Sequence, residues 1–587
     1  MVIFALPMKL RSFFSFLIAG VLALLALSAG GFYWLTTQTP LNLLNGGPTT
    51  NPAAAVFVSK QAPLLASMLV NPDRLEALRQ VFATPAERSR SHAEFEQIKK
   101  SLLANTGLDY SRDIQPWIGD EITLAITAPD FDRDSNNGKQ TGFLLALSSQ
   151  NADRSQQFLD SYWQKQSLAT KAVQFEQYKG VKLTYKELAT VNKKSEQISP
   201  LNRLSLPNSS LPSSFATALI SGSLDSENNS NFVLFANNQK VLRNAIDNVE
   251  AANLNLNNSP EYQKALQQLS QGRIALAFVN LPQPEIENSP QLSLNSLAVA
   301  VGVNRRGLVA QTALVTDRQN TAIPTLSEPV PALQYIPSAS PFAVASTNLS
   351  NFWTDLSSAV ATNPEVSKLV DRTLADIQTA WGINLPQDIF NWVKGEYALA
   401  VLPGLSNSSD WIFVAEKSAD SQKAIARLDE IARSKEYSIG SFTLRNQKIT
   451  AWTQLTSNPN YGSENKRKSA IETEAKGVRA TVGKYEIFTT SVEAMDEALK
   501  AAETGSLVAN QDFQTSIEPL PQSNDGYFYL DWPSSRAIWE KQIPLLRLIE
   551  LSARPFFDHL RSLTVTSTGE IAGIRKATMF IRLMGII

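Results

Sequence analysis

The sequence predicts an α+β fold, a mainly antiparallel sheet-plus-helix domain repeated in tandem and preceded by one N-terminal transmembrane helix. Three observations predict it. An uncharged apolar run opens the chain at residues 13–35, a segment around Trp117 returns around Trp392, and strand-like and helical patterns follow each copy in the same succession. At 587 residues the chain exceeds the roughly 100 to 200 of one domain. The expected organisation is a cytoplasmic N-terminus at 1–12, the anchor at 13–35, a linker at 36–52, and α+β repeats at 53–323 and 324–587.

Composition narrows the chemistry. Lys+Arg 53 against Asp+Glu 54 gives a formal charge of −1, so no global field favours nucleic acid. Cys 0 removes disulfides, thiolate catalysis and cysteine metal sites. His92 and His559 are the two histidines, too few for most imidazole cages and triads.

Residues 13–35 carry no charge and, as a helix, span about 35 Å, enough to cross a hydrocarbon core of about 30 Å. Lys9 and Arg11 precede the run and 36–59 has no charge, so the positive-inside rule puts the N-terminus in the cytoplasm and the bulk on the periplasmic or lumenal side. A cleaved signal peptide is the competing reading, since small residues lie at 26–30. The length of the run and the interfacial cluster Phe32, Tyr33 and Trp34 favour an uncleaved anchor. Met8 is an alternative start. Residues 36–51, with Pro40, Gly46, Gly47 and Pro48, read as a spacer.

The repeat rests on Asp113, Ile114, Trp117, Glu121, Leu124 and Ala125, which recur as Asp388, Ile389, Trp392, Glu396, Leu399 and Ala400 at a constant offset of 275. Gly107 and Gly382 keep the same offset, each closing a helical pattern. Upstream, Thr84 to Glu87 has capping-box form, and Asn363-Pro364 supplies an N-cap and a first-turn proline. Downstream, strands at 142–148 and 411–415 lead into helices at 152–164 and 419–434. Next, 181–185 is matched with 441–444. Then 216–222, 231–236 and a helix from Gln239 are matched with 480–483, 485–489 and a helix from Val492. Two hairpins close the copies, turning at 304–307 and 568–570.

With these residues, the 53–63 segment and the N-terminal run, the chain resembles domain-of-unknown-function family 3352, uncharacterised membrane-anchored proteins of oxygenic photosynthetic bacteria. The resemblance covers nearly the whole chain beyond the anchor. It implies an envelope location and carries no activity.

Trp117, Glu121, Trp392 and Glu396 are the repeat-matched binding candidates. A tryptophan at such a junction usually plugs the core and a nearby Glu usually caps or pairs. Asp130, Asp132 and Asp134 place oxygen donors at alternate positions, a weak calcium pattern in which Ser135 and Thr141 stand where a loop glycine and a bidentate Glu belong. A polar hairpin turn fits better. No nucleophile elbow, phosphate loop or H-E-x-x-H motif occurs, so the sequence gives no catalytic site and implies no cofactor. Polar insertions at 189–214 and 456–476 interrupt the same place in each copy, and an amphipathic stretch at 534–560 belongs to the second.

The expected function is therefore a membrane-anchored extracytoplasmic binding or assembly protein, held in the membrane by its N-terminal helix and partnered by an unknown envelope protein or apolar ligand. The alternatives are a carrier of lipid or another apolar ligand, with a groove lined by Leu, Ile and Phe, and a hydrolase using the repeated Glu.

Overall fold

The computed structural model describes residues 43, 46–74, 108–134, 138–169, 173–186, 215–221, 231–281, 294–316, 326–350, 353, 383–403, 409–458, 470–542, 550 and 554–584. These residues form an α+β chain whose strand pairings are antiparallel within each of two compact units. The first unit holds the described residues through Thr316, the second those from Leu326 to Met584.

The first unit contains β1 (Leu64–Met68), β2 (Ile118–Ala128), β3 (Gly142–Ser149), β4 (Val173–Tyr178), β5 (Val181–Lys186), β6 (Phe215–Ile220), β7 (Asn231–Ala236), β8 (Ala275–Asn280), β9 (Leu294–Asn304) and β10 (Gly307–Thr316). They pair in the order β4-β5-β6-β7-β3-β2-β1-β8-β9-β10. Alternation sends Glu121, Thr123 and Ala125 of β2 to one face and Ile122, Leu124 and Ile126 to the other. On the second face α1 (Ala152–Ala169) packs Leu159 with Trp117, Leu147 and Val233. Against the opposite face, α2 (Gln239–Glu250) buries Val241, Leu242, Ala245 and Ile246. The start of α2 is set by Asn238, whose side chain accepts from Lys240 N, as an N-cap should. A third helix, α3 (Pro260–Gln267), begins at the N-cap Ser259 with proline in its first turn and lies on β9 and β10.

The second unit contains β11 (Phe342–Thr347), β12 (Glu396–Pro403), β13 (Ser409–Glu416), β14 (Ser438–Leu444), β15 (Gln447–Asn458), β16 (Ala470–Val482), β17 (Tyr485–Thr489), β18 (Gly526–Asp531), β19 (Leu560–Ile571) and β20 (Ile574–Leu583). Their order is β14-β15-β16-β17-β13-β12-β11-β18-β19-β20, the same succession with every strand number raised by ten. Helices α4 (Ser421–Ser434), α5 (Val492–Thr504) and α6 (Gln511–Ile517) follow β13, β17 and α5 in turn. Two more, α7 (Trp532–Gln542) and α8 (Arg554–His559), lie between β18 and β19.

Several element boundaries differ from those read in the sequence. The segment 441–444 lies in β14, which occupies the place of β4; the place of β5 is held by β15. Neither outer strand buries a residue, so neither carries the core face that would fix its place. Much of the expected 456–476 insertion is strand, because β15 continues to Asn458 and β16 begins at Ala470. The last hairpin turns at Ala572-Gly573, both at positive φ as a two-residue turn of mirrored hand requires. Gly569, the expected turn glycine, instead sits at a register shift within the hairpin. Of the stretch 534–560, the described residues are helical through Gln542 and over Arg554–His559, and Leu560 opens β19; 543–549 and 551–553 lie outside the described residues.

The expected anchor 13–35, the helical patterns ending at Gly107 and Gly382, and the insertion 189–214 lie outside the described residues. Among those described, no helix is long and apolar enough to cross a membrane. Gly46 and Gly47, from the expected spacer, lie against the first unit, and Gly47 N donates to Arg273 O at 2.9 Å.

Candidate functional site

Trp117 follows a wide helical turn, Tyr110–Ile114, and Trp392 follows its counterpart, Leu385–Ile389. Each turn is capped reciprocally. Asp109 accepts from Arg112 N while Asp113 accepts from Asp109 N at 2.8 Å; Asn384 accepts from Gln387 N while Asp388 accepts from Asn384 N at 2.8 Å. Hydrogen bonding from the Arg112 guanidinium holds the Asp113 carboxyl down at about 2. The buried indoles then donate backwards by four residues, Trp117 Nε1 to Asp113 O at 2.7 Å and Trp392 Nε1 to Asp388 O at 3.0 Å. With both N–H groups satisfied by backbone and both rings packed in the core, neither tryptophan presents a polar atom to a ligand.

Trp117 and Glu121 face opposite sides of the sheet. Glu121 is buried without an ion pair among the described contacts; its oxygens accept from Ala53 N at 2.8 Å, Ala54 N at 2.9 Å and Thr123 Oγ1 at 2.7 Å. It thereby caps the single-turn helix Ala53–Phe57, whose first N–H groups have no partner within that turn. Burial pushes the Glu121 carboxyl up to about 7, and the three donors pull only partly against it. In the same interior lie the Tyr262 hydroxyl, which burial and the nearby Glu121 charge push up, and Arg273, which burial pushes down.

Glu396 occupies the matching strand position but makes different contacts. The matching single-turn helix is Pro331–Tyr335, and Pro331 has no N–H to offer. Glu396 accepts instead from Tyr485 Oη at 2.6 Å and pairs with Lys484 Nζ at 3.5 Å. Lys484 also reaches Glu416 at 3.1 Å, and Glu396 N donates to Glu416 at 3.1 Å. The repeated Glu residues thus stand in unlike surroundings and share no catalytic partner, which leaves the hydrolase reading without a repeated constellation.

Asp130, Asp132 and Asp134 lie between β2 and β3. Asp132 accepts from Asp134 N at 3.2 Å and Asp130 from Gln140 N at 3.3 Å, the pattern of a polar turn. Among the described residues no group of three or more His, Asp or Glu side chains is placed to hold a metal ion.

One concavity among the described residues was not singled out by the sequence. A cleft of about 700 Å³ separates α1 from β4, β5 and β6 of the first unit. Gln156, Leu159, Asp160, Trp163, Gln164 and Ser167 form one stripe of α1 along its wall, at the spacing of a helical face. Trp163 Nε1 bridges to Thr217 Oγ1 at 2.8 Å, tying helix to sheet at the cleft floor. In the second unit the corresponding bridge is ionic: Asp429 of α4 accepts from Arg479 of β16 at 3.1 Å and from Trp452 Nε1 of β15 at 2.8 Å. Trp452 lies so close over Gly477 that a Cβ there would meet its ring at 2.6 Å. The helical spacing from Gln156 to Ser167 and the exposed Phe175 were signals available in sequence. Their meeting depended on the pairing of β4 with β5 and β5 with β6.

No curated protein matches the chain. Among solved structures it is similar to crystal forms I, III and IV of TP0453, at 10%, 11% and 10% identity, covering 46%, 46% and 45% of this chain and 81%, 82% and 80% of those chains, with TM-scores of 0.22, 0.21 and 0.20. Residues 17–583 match the family described as protein of unknown function (DUF3352), and the chain belongs to that family.

Proposed function

We propose that this chain is a membrane-anchored extracytoplasmic binding or assembly protein of the cell envelope, built from two copies of one α+β module and acting on its partner through the first. The observation that carries the binding role is the open cleft between α1 and β4–β6. Its volume falls within the roughly 300–1,000 Å³ usual for ligand sites. The repeated Trp and Glu residues, by contrast, are occupied with holding the fold together.

Duplication is supported by contacts more specific than the shared strand order. Ser59 bridges Asn255 and Pro337 bridges Ser506. Leu256 N donates to Val58 O, and Leu507 N to Ile336 O, each at 2.7 Å. Phe57 meets Phe232 edge-on at 5.3 Å, and Tyr335 meets Tyr485 in the same way at 5.6 Å. The anchor and its orientation are supported by the uncharged run 13–35 and the basic residues before it.

The test is in-cell photo-crosslinking in the full chain. Benzoylphenylalanine at Gln164, on the cleft wall, is expected to give a specific adduct, whereas the same group at exposed Glu497 of α5 gives none. Equal labelling at both positions, or none at Gln164, contradicts a binding role for the cleft.

A further inference from the structure

The cleft's walls say what kind of molecule suits it. Nine of the lining side chains carry hydrogen-bonding groups, among them Gln156, Asp160, Gln164, Lys182 and Ser221. A fatty chain laid here would strip water from these groups and return no hydrogen bonds, a cost of about 1–3 kcal/mol for each one sealed from solvent. The groove is therefore not the Leu, Ile and Phe channel that a lipid carrier needs.

Two aromatic residues stand among these polar groups. Phe175 lines the cleft from β4 and is 63% exposed, with the Lys182 ammonium over its ring at 5.2 Å and the rest of the ring open to solvent. Trp163 lines it from α1 as a buried floor, 6% exposed, with its ring against Tyr162 and Phe215 and its one polar atom committed to Thr217, so Phe175 is the ring that a ligand can reach. The faces of such rings are electron-rich and accept the polarised C–H groups of a saccharide ring. The sugar's hydroxyls, projecting around its rim, need amides, carboxylates and hydroxyls at the edge of the platform. Gln156 and Asp160, whose side chains are joined by a hydrogen bond from Gln156 Nε2 to Asp160 Oδ1 at 2.9 Å, and Gln164 supply these from successive turns of α1, while Lys182, Thr184 and Ser221 face them from β5 and the end of β6.

We infer that the cleft between α1 and β4–β6 is a glycan-binding site, taking a neutral or weakly charged oligosaccharide of a few rings with Phe175 as its stacking platform. This rests on the proposed binding role of the cleft and adds the ligand's chemical class. Lys182 and Asp160, the two formal charges on the lining, are of opposite sign, which disfavours a highly charged polymer of either sign.

The test uses the full chain in nanodiscs on a glycan array carrying chitin, cellulose, maltose and muropeptide fragments, with wild type, Phe175→Ala and Leu219→Trp compared. Circular dichroism and thermal unfolding verify that the variants fold. The inference predicts retention of at least one glycan class, weakened about tenfold or more by Phe175→Ala and abolished by Leu219→Trp, which fills the cleft. It is overturned if wild type retains no glycan, or if both folded variants retain glycans as wild type does. Native mass spectrometry of the full chain separates the two levels of failure. A co-purifying lipid lost on Leu219→Trp, without glycan retention, rejects the glycan and keeps the cleft as a binding site. No glycan and no cleft-dependent ligand rejects both.

Discussion

The backbone N–H of Ala53 donates to Glu121 Oε2 at 2.8 Å across 68 residues of sequence, while Pro331, at the corresponding point of the second unit, has no proton to give. Pro331 in place of Ala53 and Ala398 in place of Thr123 thus remove two of the three donors that hold Glu121, although Glu121 and Glu396 sit at the same strand position. The contrast yields unequal consequences for the two glutamates.

Glu121→Ala removes the acceptor of two backbone N–H groups and one hydroxyl from a dry interior. It is expected to destabilise the first unit by about 2–4 kcal/mol, the cost of leaving several buried donors unpaired. Glu396→Ala, whose side chain is 18% exposed, is expected to cost about 1 kcal/mol. Urea unfolding followed by hydrogen exchange within each unit measures both, and equal losses contradict the assigned roles.

Glu121 also makes stability depend on pH. Its folded value of about 7 stands above the ordinary glutamate value of 4.5, so the folded state holds the proton more tightly between them. The contribution is full below pH 4.5 and is lost as pH rises through 7, an effect on the order of 1–3 kcal/mol. Glu121→Gln cannot titrate, so its first-unit stability, measured between pH 5 and 8, should lack that decline. An unchanged slope in the variant would place the titration elsewhere.

Trp117→Phe keeps the core ring and forfeits the bond to Asp113 O, an expected loss of about 1 kcal/mol; Trp117→Ala also opens a cavity and is expected to cost about 3–5 kcal/mol. Trp392→Phe and Trp392→Ala should follow the same graded pattern in the second unit. Chemical denaturation resolves the two steps. A Phe variant as damaging as the Ala variant would show that the N–H bond, and not the packing, dominates.

The Asp429 bridge offers a double-mutant cycle. Asp429→Ala leaves the largely buried Arg479 and the Trp452 N–H without this acceptor, and an expected loss of about 2–3 kcal/mol follows. Asp429→Ala combined with Arg479→Met should cost less than the sum of the two single changes. Strict additivity, measured by equilibrium unfolding, contradicts the coupling.

Helix starts were legible because their caps are local: Asn238 and Ser491 announce α2 and α5 with no need of tertiary context. Strands β7 and β17 were legible as short apolar runs bounded by turns. The outer strands were legible only in part: 441–444 of β14 was read as strand-like but set against β5, and β4, where only Val173 and Phe175 alternate with polar residues, takes its identity as a strand from pairing with β5. Of the site residues, the repeated Trp and Glu were visible through their offset of 275. Their roles were not, because Glu121 finds its partners at Ala53 and Ala54 through the fold alone. The cleft was hidden for the same reason, since Trp163 and Phe175 come to line one cleft only through strand pairings that neither segment announces.

The proposal stands or falls on which side of the membrane the units lie. The chain contains Cys 0, so single cysteines can be placed without a background. Lys139→Cys and Lys448→Cys sit at exposed positions of the first and second units, and Ser12→Cys lies before the anchor. With an impermeant maleimide on cells whose outer barrier is opened but whose inner membrane is intact, the account predicts labelling at 139 and 448 and none at 12. Protection of 139 and 448 until the inner membrane is lysed would contradict it.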